Sequence, residues 1–157
     1  MAIQPSDLKI SIRETITINN NKYDSFTNHT INNIKEVSKR VLSIPTSSQE
    51  IISVSGSLGP GAFITEDVKY MRFSNLNPAT SPNQVDLTFR NFDNDEFKVK
   101  VDYGQTFFFT GTNDKGVSGS MDASQTEITD SDLASLTRVI AQASGSEVDM
   151  EIFIAST

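Results

Sequence analysis

Asp93-Asn94-Asp95 has the carboxylate density of a calcium loop. An EF-hand loop needs D-x-[DN]-x-[DN]-G followed by a distant bidentate Glu, and neither is present. The same three residues suit a tight turn between strands, which is how we read them. The chain has one histidine, His29, and no cysteine, so a histidine triad, a thiolate metal site and an HExxH helix are all excluded. His29 sits in Asn28-His29-Thr30, which matches a glycosylation sequon only formally, and it reads as a surface or packing residue. Gly56-Ser-Leu-Gly-Pro-Gly-Ala-Phe63 is rich in glycine, yet it matches neither GxxxxGK[ST] nor GxGxxG. It reads as an irregular connection whose apolar residues Leu58 and Phe63 are candidate contact tips. The carboxylates fall at turns or alternate outward on strands. A glycosidase pair assembled from distant strands is conceivable, but the cleft of such an enzyme is usually lined with Trp, and this chain has none. We therefore expect no catalytic, cofactor-binding or metal-binding residue, and no enzymatic activity.

The elements that would position any site are strands. The run Val68 to Thr110 organises the chain: VKYMRFSNL, QVDLTFRNF, EFKVKVDYG and QTFFFT are four strands joined by polar turns. The first and last carry apolar residues at both parities and should be buried on both faces. The middle pair should form a hairpin. Earlier in the chain, Leu8, Ile10, Ile12, Ile16 and Ile18 alternate with polar residues, a period of two that no helix could present as one face. Glu14 interrupts that apolar face, which implies a bulge or an edge position. Asn19-Asn20-Asn21 supplies the positive φ values of a hairpin turn. Further strands are expected at 23–32, 37–44, 50–55, 135–143 and 148–154. Thr129-x-x-Asp132 and the spacing of Leu133, Leu136, Val139 and Ile140 also fit a short helix, but strand propensity favours a turn followed by a strand. Residues 111–125 form a long polar loop. Leu87, Phe89, Phe97, Val99, Ile152 and Ile154 are the expected core.

The whole reads as an all-β chain, a two-sheet antiparallel β-sandwich or jelly roll of about nine or ten strands. Residues 1–7 form an N-terminal arm and 8–157 a single domain. Ser, Thr and Asn supply 47 of the 157 residues, which fits strands linked by many turns. At this length a sizeable core forms without disulfides.

Charge narrows the partners. The net charge is −7. Residues 1–45 hold six Lys/Arg and four Asp/Glu, net +2, whereas residues 111–157 hold two and eight, net −6. An acidic C-terminal third argues against nucleic acid, whose binding rests on neutralising phosphates. The start, MAIQPSDLK, lacks the charged and apolar regions of a signal peptide, and no apolar run is long enough to span a bilayer. We expect a soluble protein made in a cytoplasm, with no membrane partner. Two classes remain: a structural subunit whose work is contact area, and a ligand-binding sandwich for a carbohydrate or receptor. A sugar site would want exposed aromatics flanked by Asp, Asn or Gln. Most aromatics here lie in strands and are assigned to the core.

The order DLKISIRETITINN, KRVLSIPTS, GAFITEDVKYMRFSNL, VDLTFRNFDNDEFKVKVDYGQTFFF and EVDMEIFIAST resembles small structural proteins of marine tailed phages, cyanophages included. The resemblance spans nearly the whole chain and rests on strand and turn patterns. It implies a virion component, in first place a head decoration or cement subunit, with neck or tail as the alternative. It also implies capsid or other virion proteins as partners, present with this chain in many copies or as a homo-oligomer. It carries over no site residues. Ala2, Ile3 and Pro5 are candidate contacts on the arm, with Pro5 favouring an extended backbone.

Overall fold

The computed structural model describes residues 4–55, 62–64, 67–91, 94–110 and 136–157. Among them are eleven strands: β1 (Ser6–Ile18), β2 (Asn21–Ile34), β3 (Glu36–Ile44), β4 (Gln49–Ser55), β5 (Ala62–Ile64), β6 (Val68–Asn75), β7 (Val85–Asn91), β8 (Glu96–Val101), β9 (Thr106–Thr110), β10 (Leu136–Ala143) and β11 (Val148–Ser156). Nine of these make two packed sheets, one ordered β3-β11-β6-β9 and one ordered β5-β4-β10-β7-β8. The other two, β1 and β2, pair only with each other. The all-β sandwich expected from periodicity is the fold.

Within the sandwich, whose first strand is β3, and apart from the short β5, which pairs in parallel with β4, the strands form nested antiparallel pairs. β3 pairs with β11, β4 with β10, β6 with β9 and β7 with β8. First pairs with last and second with second-last, which is the winding of a jelly roll. Of the strand expected at 135–143, Leu136–Ala143 is β10, as its β-branched residues favour, while position 135 lies outside the described residues, and β7–β8 is the expected hairpin.

The core lies between the two sheets. Phe73, Val85, Leu87, Phe89, Val139, Met150 and Ile152 are fully buried there. Five rings meet at its centre. Phe89 stacks on Phe97 at 4.7 Å between ring centroids, and the edges of Phe73 and Phe109 meet it at 5.7 and 5.1 Å. Phe107 completes the group, 4.7 Å from Phe109. Phe89 and Phe97 come from the five-stranded sheet and the other three from the four-stranded sheet, so this cluster joins the layers. Of the six expected core residues, Leu87, Phe89, Ile152 and Ile154 are buried. Phe97 and Val99 pack on the core and are half-buried, because β8 is an edge strand.

Two expectations need correction. β6 is buried on both faces, but β9 is not: Thr106, Phe108 and Thr110 point outward and are exposed. β9 ends its sheet, so it has a neighbour on one side only. The strand beginning at Glu96 stops at Val101, and Tyr103 is exposed in the following turn, where Gly104 takes φ +68°.

Asn75 secures the end of the sandwich. Its buried side chain donates to the carbonyls of Asn83 (2.9 Å) and Val101 (3.1 Å) and accepts from the Asn77 backbone N–H (3.0 Å). One amide thus ties the β6–β7 loop to β8, and no apolar residue of its size could do so.

Candidate functional site

β1 and β2 form a hairpin of thirteen and fourteen residues, closed by Asn19 and Asn20 at φ +51° and +63°. Two successive positive φ values define the type I′ turn, whose twist matches that of the flanking strands. At about 3.4 Å per residue the ribbon is some 45 Å long. Among the described residues, its base packs on the sandwich. Ser6 pairs with Ile34 but Leu8 with Ile31, so β2 carries one extra residue, and Asn33 takes φ +62° at that bulge. In a regular strand Ile31 and Ile34 would face opposite sides. The bulge turns both inward, and with Leu8 and Ile10 they pack on Tyr70, Phe153 and Ala155 of the four-stranded sheet.

Beyond the base the hairpin is exposed on both faces. Direct partners in the register share a face. One face carries Ile12, Glu14, Ile16 and Ile18 with Tyr23, Ser25 and Thr27 opposite. The other carries Arg13, Thr15 and Thr17 with Lys22, Asp24 and Phe26, tied by a 2.7 Å Lys22–Asp24 ion pair. Ile16, Ile18 and Tyr23 are each more than half exposed. The alternation of residues 8–18 therefore marks a strand whose apolar face lies outside the core. Glu14 pairs with Ser25 in unbroken register, so there is no bulge there; both strands are edges.

The second exposed apolar surface is the β3 margin of the outer face of the four-stranded sheet, beside the part that the hairpin base covers. The registers place Val37, Lys39 and Val41 of β3 beside Ala155, Phe153 and Glu151 of β11, then Tyr70, Arg72 and Ser74 of β6, then Phe108 of β9. Val37 and Val41 are 56% and 54% exposed. At the centre of that face Glu151 bonds to both Lys39 (3.0 Å) and Arg72, so two cations share one carboxylate. The Lys39 bond, with Arg72 beside it, holds Glu151 below the usual carboxylate range. Burial pushes the Tyr70 hydroxyl upward. The guanidinium of Arg72 also lies 5.8 Å from the Phe153 ring centroid, over its face.

A lowered carboxylate makes stability depend on acid. The contribution of Glu151 is complete above its ordinary value of 4.5 and is lost as pH falls through its lower native value. Urea melts from pH 7 to pH 3 should therefore show the gap between wild type and Glu151→Gln closing at the acid end. A gap constant with pH would mean that the carboxylate is not ionised in this pair.

A shallow hollow of about 280 Å³ lies where the hairpin leaves the sheet, lined by Leu8, Lys9, Ile10, Tyr70, Arg72 and Phe153. Two more lie along the distal hairpin, beside Phe26 and beside Tyr23. Tyr23 and Phe26 face opposite sides of the ribbon, so they do not form one stacking platform for a sugar. Their exposure nevertheless departs from the assignment of most strand aromatics to the core.

Of the residues singled out in the sequence, Ala2, Ile3 and Leu58 lie outside the described residues. Pro5 is exposed just before β1. Phe63 sits on β5, half-buried against the core. The projecting element is the whole Ser6–Ile34 hairpin, longer than the 1–7 arm expected. Its signals were present in the sequence: a carboxylate inside the apolar run, and a partner strand with no matching alternation. His29 is exposed opposite Ile10. Asn91 and Asp95 bond to each other between β7 and β8, where Asn94 takes φ +68°, while Asp93 lies outside the described residues. Among the described residues no three His, Asp or Glu are grouped to hold a metal, and no helix is long and apolar enough to cross a membrane.

Comparison with protein-family models, with curated proteins and with solved structures finds no match. The functional reading therefore rests on the geometry and on the resemblance of the sequence.

Proposed function

We propose that this chain is a non-enzymatic structural subunit of a tailed-phage particle, in first place a head decoration subunit that acts by protein–protein contact. The observation that carries the reading is the hairpin. An isolated two-stranded ribbon is marginally stable in water, and free strand edges invite pairing. A ribbon about 45 Å long with Ile16, Ile18 and Tyr23 exposed along one face is suited to contact with a neighbour. The jelly roll beneath it is a platform that viral capsid domains share with lectins and cupins, so the fold is compatible without being diagnostic.

The test is the location and copy number of the protein in purified particles. Hundreds of copies on the shell support decoration, and a small ring at one vertex would move it to neck or tail. Absence from particles overturns the reading, as would selective retention on a glycan array. Ile16→Lys and Tyr23→Lys should abolish incorporation while moving the melting temperature little, because both side chains are exposed. Normal incorporation of both variants would remove the hairpin from the account.

A further inference from the structure

Two surfaces of this chain carry the same pattern with opposite charge. Along β1, Ile12, Glu14 and Ile16 follow one another at two-residue steps on one face. Along β3, Val37, Lys39 and Val41 do the same on the outer face of the four-stranded sheet. The carboxylate lies between two isoleucines, and the ammonium lies between two valines. Among the described residues Lys39 and Arg72 share Glu151 as their carboxylate, so two cations meet one anion at the centre of that face. Asp149 lies one pleat beyond Val41, beside Ser43 at the end of the face. We propose that the uncovered half of the hairpin docks on this sheet face in a second copy of the chain, with Glu14 against Lys39 and Arg72 and with Ile12 and Ile16 against Val37 and Val41. The inference rests on the reading of the chain as an assembly subunit and names the partner of its arm.

Three observations favour a second copy over an unrelated protein. The same hairpin face already packs on the same sheet face within the chain, where Leu8, Ile10, Ile31 and Ile34 meet Tyr70, Phe153 and Ala155. The proposed contact continues that interface with like chemistry. The match of step and charge is internal to one sequence, so identical copies are complementary without any other partner. The area is also sufficient. The free ribbon face is roughly 24 Å by 10 Å, about 240 Å², so two reciprocal contacts, each with two surfaces, bury on the order of 1,000 Å², about the area at which a specific interface begins. Within one chain the contact is not made: Ile16 is 55% exposed while Val37 and Val41 remain bare.

The absence of native cysteine makes the test direct. Full-length Ile16→Cys is mixed with full-length Val37→Cys or Val41→Cys and mildly oxidised. We expect a disulfide-linked dimer from at least one mixture and none from any variant alone. Sedimentation at roughly 50 µM, well above a micromolar dissociation constant, should show a dimer or a larger closed assembly. Glu14→Lys should weaken association about tenfold or more, since it sets like charges against each other at the contact centre. A monomer at that concentration, self-linking of Ile16→Cys, or unchanged association of Glu14→Lys would each overturn the inference. A chain that is monomeric alone yet enters particles through its hairpin overturns this inference and leaves the assembly reading standing. A chain that links as expected but is absent from particles does the reverse.

Discussion

Replacing Phe89 by alanine will destabilise the protein by about 3–5 kcal/mol, the range for removing a fully buried ring. Phe89 has no exposed surface. It is also the ring on which the aromatic cluster converges, contacting Phe73, Phe97, Phe107 and Phe109. Those partners come from both sheets, so the cavity would open at the junction between layers. The surrounding backbone is held by ladders on either side and can collapse only in part. For a chain of this size the loss corresponds to a fall in melting temperature of about 6–20 °C. Phe108→Ala is the control. That ring points outward from β9, is 39% exposed, and has Tyr70 at 6.3 Å between centroids. Its loss should cost about 1 kcal/mol or less. Equal effects at the two positions would mean that the faces of β7 and β9 are misassigned.

Asn75→Leu will cost about 3 kcal/mol although the new side chain keeps the branching and heavy-atom count of asparagine and is apolar. The substitution removes the bonds to the carbonyls of Asn83 and Val101 and to the N–H of Asn77, and a buried group left without a partner costs about 1–3 kcal/mol. Water reaching the loop end would soften the sum, which is why the expected total lies well below three full penalties. Denaturant unfolding measures it, and the m-value should not change, since the folded core is unaltered. A loss below about 1 kcal/mol would show that the β6–β7 loop is held by other contacts.

The strands were legible in the sequence because alternation is a local property. Val85, Leu87 and Phe89 against Asp86, Thr88 and Arg90 give β7 directly, and the all-even residues Val148, Met150, Ile152 and Ile154 give β11. Turn chemistry was legible for the same reason: Asn19 and Asn20 tolerate positive φ wherever the chain places them. The packed two-sheet class followed from the number of such runs and their spacing.

What only the tertiary structure decided is which apolar faces are covered. Leu8–Ile18 and Val148–Ile154 show the same period, yet Ile152 is fully buried and Ile16 is exposed. Periodicity records the chemistry of a face and says nothing of what lies against it. Covering is set by pairings between residues far apart in the chain, such as β3 with β11 and β4 with β10, whose nesting no local pattern encodes. The inward turn of Ile34 depends on the bulge at Asn33, between it and Ile31, and the cluster of Lys39, Glu151 and Arg72 depends on three strands lying side by side. Both arise from register, a property of strand pairs that no single strand carries.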